Sequence, residues 1–170
     1  TYKTNTNWED QAFQKAPINQ VDLSISGGND KTTFYMAGQA LDQRGIIIRN
    51  GFKRYSGRLN LDQKVRDWLN VGMNMSYARS LNQRISNDNA FSTPIQIVAL
   101  TPTTPLIDQR TGLLAGELDP STGAPSDIFP LYYNPLLSAK GATYNTLVYR
   151  TLGNVYGEAK IARGFSFRSE

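Results

Sequence analysis

The chain has 170 residues, with 18 Lys plus Arg against 14 Asp plus Glu, a formal charge of +4, and neither cysteine nor histidine. Disulfides and thiolate chemistry are excluded, and the commonest metal ligand and general base is missing. Lys and Arg are scattered, without the dense basic stripe of a nucleic-acid binder, and no apolar run of about 18 residues exists to cross a membrane as a helix.

Residues 1–19 are polar, with Trp8 and Phe13 as bulky anchors. Asn7-Trp8-Glu9-Asp10 reads as the start of a short helix, with Asn7 as N-cap and acids in the first turn. Pro17 holds Ala16 extended and leads into a strand. From there apolar and polar residues alternate, a period that puts every second side chain on one face of a strand. The first strand is predicted over Gln20 to Gly27, the second over Thr32 to Asp42, with Gly28-Asn29-Asp30-Lys31 as a tight turn between them. A loop with Ile46-Ile47-Ile48 inside it follows. The third strand covers Phe52 to Asp62 and the fourth Leu69 to Arg79, so residues 20–79 hold four strands. The fourth is the clearest: Leu69, Val71, Met73, Met75 and Tyr77 oppose Asn70, Gly72, Asn74 and Ser76.

The pattern breaks over residues 80–145, which hold seven of the eight prolines. A loop this long usually carries function. Asp88 to Leu100 has room for a short helix interrupted by Pro94, and Asp108-Gln109-Arg110-Thr111-Gly112 reads as a hairpin tip. Alternation returns over residues 146–170, with a fifth strand, a turn at Ala162-Arg163-Gly164, and the start of a sixth at Phe165. Connections are thus short after the first, third and fifth strands and longer after the second and fourth. Outer-membrane barrels place short turns and long loops on opposite ends, and Trp68, Phe52, Tyr77 and Phe165 stand where interface girdles would be.

The predicted fold class is all-β: a transmembrane antiparallel β-barrel fragment of five to six strands. The chain starts without Met and stops inside an alternating run, so it reads as a piece of a longer protein; closed bacterial barrels need about eight strands or more. The lipid-facing set is Val21, Leu23, Ile25, Leu59, Leu61, Leu69, Val71, Met73, Met75, Val155, Ile161, Phe165 and Phe167. The lumen-facing candidates are Asp22, Ser24, Arg54, Arg58, Asn60, Asn74, Ser76 and Glu158, which either contact an occupant of the lumen or simply hydrate and cross-link its wall. Phe129, Tyr132, Tyr133 and Tyr144 are loop contact candidates, because exposed aromatics stack on sugars and anchor interfaces. A soluble β-sandwich binding module alternates in the same way and is the rival reading; a passive porin is another. No spacing in the chain fixes a carboxylate pair for hydrolysis or a metal loop, so neither catalysis nor a cofactor is expected.

Several stretches, taken in order, resemble the SusC/RagA family of TonB-dependent outer-membrane transporters. Asn7-Trp8-Glu9-Asp10 with Ala16-Pro17-Ile18 is similar to the segment leading from the plug domain into the barrel. Leu23 to Thr32 resembles the first barrel hairpin, and Leu41-Asp42-Gln43-Arg44-Gly45-Ile46-Ile47 the first outer loop. Phe52 to Asp62 with Trp68-Leu69-Asn70-Val71-Gly72 resembles the second hairpin. Tyr133-Asn134-Pro135-Leu136 and Leu152-Gly153-Asn154 resemble the end of the second outer loop and the strand after it. The resemblance implies a plugged barrel of roughly 22 strands in the outer membrane of a Gram-negative bacterium, of which residues 1–19 would be the linker from a plug lying outside this sequence. It also implies a SusD-like surface lipoprotein as lid, the TonB-ExbB-ExbD complex as energy source, and glycan or peptide cargo.

Overall fold

The computed structural model describes residues 4–85, 96–126, 128, 134–142 and 144–170. Six strands form one sheet in the order of the chain: β1 (Ile18–Gly28), β2 (Thr32–Arg44), β3 (Gly51–Arg66), β4 (Leu69–Arg84), β5 (Tyr144–Ala162) and β6 (Phe165–Ser169). Neighbours run antiparallel. In the β1–β2 pair Leu23 lies opposite Gly38 and Ile25 opposite Met36, while Asp22 lies opposite Gln39 and Ser24 opposite Ala37. Opposed residues share a face, so this register segregates apolar from polar side chains across the sheet as well as along each strand.

The turns follow from local chemistry. Asn29 Oδ1 accepts from the amides of Lys31 and Thr32, each at 2.9 Å, and a Cβ on Gly28 would run into the Thr32 carbonyl. Asp67-Trp68 closes β3 onto β4. Arg163-Gly164 closes β5 onto β6, with Gly164 at φ +82°, a conformation that favours glycine.

The strands run from 11 residues in β1 to 19 in β5 among the five long ones, beyond the predicted bounds at most ends. β3 continues to Arg66 and β4 to Arg84. Gln63-Lys64 and Asn82-Gln83-Arg84 are polar on both faces, so alternation vanishes there, but backbone ladder bonds do not need it. Tyr144, expected in the loop, is the first residue of β5.

All described strands belong to this single sheet, and none of them covers its apolar face, where the sandwich reading expects a second sheet. Leu23 is 73% exposed, Ile161 72% and Phe165 75%.

Two compact units are present. The sheet makes up Ile18–Gln43, Phe52–Leu81 and Thr146–Glu170. The other unit collects Thr1–Pro17, Arg44–Gly51 and Asn82–Asn145. It contains α1 (Trp8–Ala12), α2 (Gln96–Ala99) and α3 (Pro135–Gly141). Asn7 caps α1 as predicted, its Oδ1 accepting from the amides of Glu9 at 3.2 Å and Asp10 at 3.4 Å. Trp8 and Ala12 are buried with Ile97 and Leu100 in a small core, and Leu106 and Leu136 pack against it. Trp8 Nε1 donates to the Thr101 carbonyl at 3.1 Å, so the indole is both buried and satisfied. Ile46-Ile47-Ile48 attaches to the tail of α1: Gln14 N donates to Ile46 O and Ile48 N to Ala12 O. The helix predicted over Asp88 to Leu100 is described only from its end, where α2 follows Pro94; residues 86–95 lie outside the described residues.

Two hairpin tips in this unit share one design. The predicted tip, Asp108 to Gly112, is bracketed by an Ile107–Leu114 bridge, and a second, Asp119 to Gly123, by a Leu118–Pro125 bridge. In each, the first Asp accepts from the backbone amide two residues on. In each, the Thr hydroxyl accepts from the amide two residues on. Each ends on a glycine at positive φ, 73° and 70°.

Glu117 ties the second hairpin to α3. Its Oε1 accepts from Lys140 Nζ at 2.6 Å and its Oε2 from Leu114 N at 2.8 Å. The Lys140 bond foremost, then the Leu114 amide, hold its carboxyl below the ordinary value of 4.5. A depressed carboxylate contributes stability that is complete above its unfolded pKa and is lost as pH falls through the folded one. The pair is partly exposed, so screening limits it to about 1 kcal/mol or less. Glu117→Gln is expected to loosen the tie between the second hairpin and α3 toward proteases at pH 7, with the difference from wild type closing as pH falls through the lowered pKa of the Glu117 carboxyl; digestion of the full-length protein by acid- and neutral-active proteases checks this.

Candidate functional site

The polar face of the sheet is built by the even-numbered residues of β1, β3, β4 and β5 and the odd-numbered ones of β2. Five predicted residues, Asp22, Ser24, Arg54, Arg58 and Ser76, line one cleft there, of about 520 Å³. Tyr35, Gln39 and Arg150 are among the other residues that line it. Asp22 is fully engaged with neutral amides: Oδ1 accepts from Gln39 Nε2 at 2.8 Å and Oδ2 from Gln20 Nε2 at 2.6 Å.

Asn60 and Asn74 lie beside this cleft, in a hollow they share with Arg58, Ser76 and Asn154. Asn74 Nδ2 donates to Asn154 Oδ1 at 3.1 Å, and Ser76 Oγ to the Leu152 carbonyl at 3.4 Å. These bonds cross between β4 and β5. Glu158 belongs to neither cleft. It pairs in register with Arg168 of β6, beside Tyr156. The Arg168 guanidinium stacks 4.0 Å from the centre of the Tyr156 ring, a cation–π arrangement, and the Tyr156 hydroxyl donates to Asp62. The ring lies directly over Gly72, where any Cβ would overlap it. Gly72 is thus the floor for an aromatic on the neighbouring strand.

In the fifth strand the alternation of Val155, Gly157, Ala159 and Ile161 with Asn154, Tyr156, Glu158 and Lys160 puts Asn154 and Tyr156 on the polar face, but it misses Arg150. Leu152 sits between them on the same face and breaks the alternation; carrying the parity back from Glu158 through Leu152 would have found Arg150. Of the loop candidates, Phe129, Tyr132 and Tyr133 lie outside the described residues, and Tyr144 starts β5. On the opposite face Leu23, Ile25, Met36, Leu59, Met75 and Tyr77 line an apolar groove floored by Gly38 and Gly57. Among the described residues no group of three acids is placed to hold a metal ion.

No protein-family model matches the chain. It is 29% identical over 154 residues to a TonB-dependent receptor of Formosa agariphila, covering 89% of this chain and 14% of that protein. It is 25% identical over 137 residues to SusC, a TonB-dependent receptor of Bacteroides thetaiotaomicron, covering 77% of this chain and 13% of that protein. The fold matches the structure of the RagAB peptide importer in its closed-closed state with a TM-score of 0.70 and 26% identity, over 98% of this chain and 18% of that one. The chain is homologous to SusC/RagA-type TonB-dependent receptors. It spans a minor part of these relatives, and its six strands correspond to a portion of the RagA barrel. TonB-dependent receptors are transporters of the Gram-negative outer membrane, and this sheet corresponds to a stretch of such a barrel.

The Tyr156–Gly72 contact makes the receptor wall sensitive to a single methyl. Gly72→Ala is expected to cost about 1–3 kcal/mol by overpacking, and combining it with Tyr156→Ala should recover part of that, a coupling that independent sites would not show. Urea unfolding of the refolded receptor in detergent, across the double-mutant cycle, measures it.

Proposed function

We propose that this chain supplies wall and outer loops to an energised outer-membrane importer of oligomeric nutrients, peptide or glycan. The observation that carries the reading is a single sheet, homologous to receptor barrel, with one bare apolar face and one polar face. In this reading the apolar face meets lipid and the polar face lines the lumen. The longer connections, between β2 and β3 and between β4 and β5, would be the extracellular ones, where a SusD-like lipoprotein would close over the barrel. Transport would draw on TonB-ExbB-ExbD through a plug outside this sequence. The RagAB peptide importer and SusC support the family of transport, and the fit to the former favours peptide cargo. A passive porin would share such a wall, but the relatives are TonB-dependent receptors, which favours energy coupling.

Neighbouring residues of β4 separate the two faces. Met73→Arg is expected to destabilise the membrane-folded receptor by about 2–4 kcal/mol near the midplane, because the cation would sit in hydrocarbon. Asn74→Arg, one residue on, should cost far less, since it enters water. Folding titrations of the full receptor into lipid vesicles read both. Equal costs for the two substitutions would contradict the assignment of faces.

A further inference from the structure

The cleft on the polar face brings Arg54, Arg58 and Arg150 together around about 520 Å³, a volume ordinary for a ligand site. One carboxylate, Asp22, lines it, and each of its oxygens accepts from a neutral amide, of Gln39 and of Gln20, rather than from an arginine. Among the described residues no carboxylate lies within ion-pair distance of any of the three arginines. Three other cations of the sheet unit pair with acids, Lys53 with Asp42 at 3.2 Å, Lys64 with Asp67 at 2.8 Å, and Arg168 with Glu170 at 2.6 Å; what sets the three arginines apart is that they share one cleft. The adjoining hollow, lined by Asn60, Asn74, Ser76 and Asn154, shares only Arg58 of the three with the cleft. Clustered like charges repel, and the guanidinium fork is suited to bidentate capture of a carboxylate. In a walled lumen the same charges focus the field and concentrate anions. Arg54 and Arg150 also lie toward the strand ends that join the long connections, the side from which cargo would enter.

We propose that Arg54, Arg58 and Arg150 form a carboxylate-binding station on the lumen wall, and that the cargo it receives is an acidic oligomer. This rests on the importer reading above and narrows its cargo class. A second source of the same chemistry is a carboxylate of the receptor's own polypeptide outside this chain, docked permanently on the cleft.

The test uses the whole receptor, purified in detergent, as wild type and as the triple variant Arg54→Gln, Arg58→Gln, Arg150→Gln. Fluorescent hexaglutamate, hexaglutamine and oligogalacturonate are the probes, and the thermal midpoint of the probe-free receptor is the control. The expected result is a loss of tenfold or more in affinity for the acidic probes, steep salt dependence in wild type only, and an unchanged thermal midpoint and hexaglutamine binding. A lowered midpoint with acidic-probe binding unchanged assigns the cleft to an internal carboxylate and overturns the proposal. Equal losses for hexaglutamate and hexaglutamine also overturn it, because they mark a distorted wall. A wild-type receptor that takes up neither acidic probe removes the station while leaving the importer reading intact, since that stands or falls with the Met73 and Asn74 substitutions. Single reversion to arginine at position 54 or 150 in the triple variant should restore part of the acidic-probe affinity, which a folding defect would not.

Discussion

The structure depends on a sheet that is one layer thick and two-faced. A soluble sheet must hide its apolar face against a second layer, and none of the described strands provides one. Leu23, Ile25, Met75, Val155, Ile161 and Phe165 therefore stand bare on a single surface, far beyond the scattered apolar exposure of ordinary soluble proteins. Hydrocarbon resolves this without a second layer. It imposes a condition in return, because every backbone amide and carbonyl in the bilayer must be paired within the wall. A continuous antiparallel meander with short turns meets that condition strand by strand. The outer edges of β1 and β6 meet it only with further neighbours, in keeping with a chain that covers 14% of one relative and 18% of the RagAB structure.

Within that constraint the two faces are held in place by different means. The apolar face needs only bulk, and Gly38 and Gly57 leave a groove there between larger neighbours. The polar face is cross-linked. Asp22 with Gln39, Asn74 with Asn154, and Tyr156 with Asp62 and Arg168 form contacts across strands. Such contacts fix register, because sliding a strand by one residue would carry each partner to the opposite face. The three arginines of the main cleft stand apart from this cross-linking. They are placed by the same strands, and among the described residues no acid pairs with them, which is the arrangement the proposed carboxylate station rests on.

Much of the fold was legible because its period is physical. Leu69 to Tyr77 alternates apolar with polar residues, the pattern of a strand whose two faces meet different surroundings. Asn7 announced the first helix through its acceptor oxygen, and the alternation of short and long connections gave the topology. What stayed hidden depends on partners from other strands. Gly72 reads as a weak point in β4 until Tyr156, far along the chain, is seen lying on it. Arg150 was masked by Leu152, an apolar residue on the polar face. The second hairpin tip, Asp119 to Gly123, carries the same turn chemistry as Asp108 to Gly112 but went unread among the prolines around it. The polar strand ends were lost because ladder hydrogen bonds leave no mark on side-chain type.

The central claim is that adjacent residues of one strand face hydrocarbon and water. The chain has no cysteine of its own, so a nitroxide can be attached through Met73→Cys or Asn74→Cys in the full receptor in lipid vesicles and its relaxation measured with two collision partners. The account predicts that the label at 73 is relaxed by oxygen, which concentrates in lipid, and shielded from a water-soluble nickel chelate, with the reverse at 74. Equal access to the chelate at both positions would contradict it.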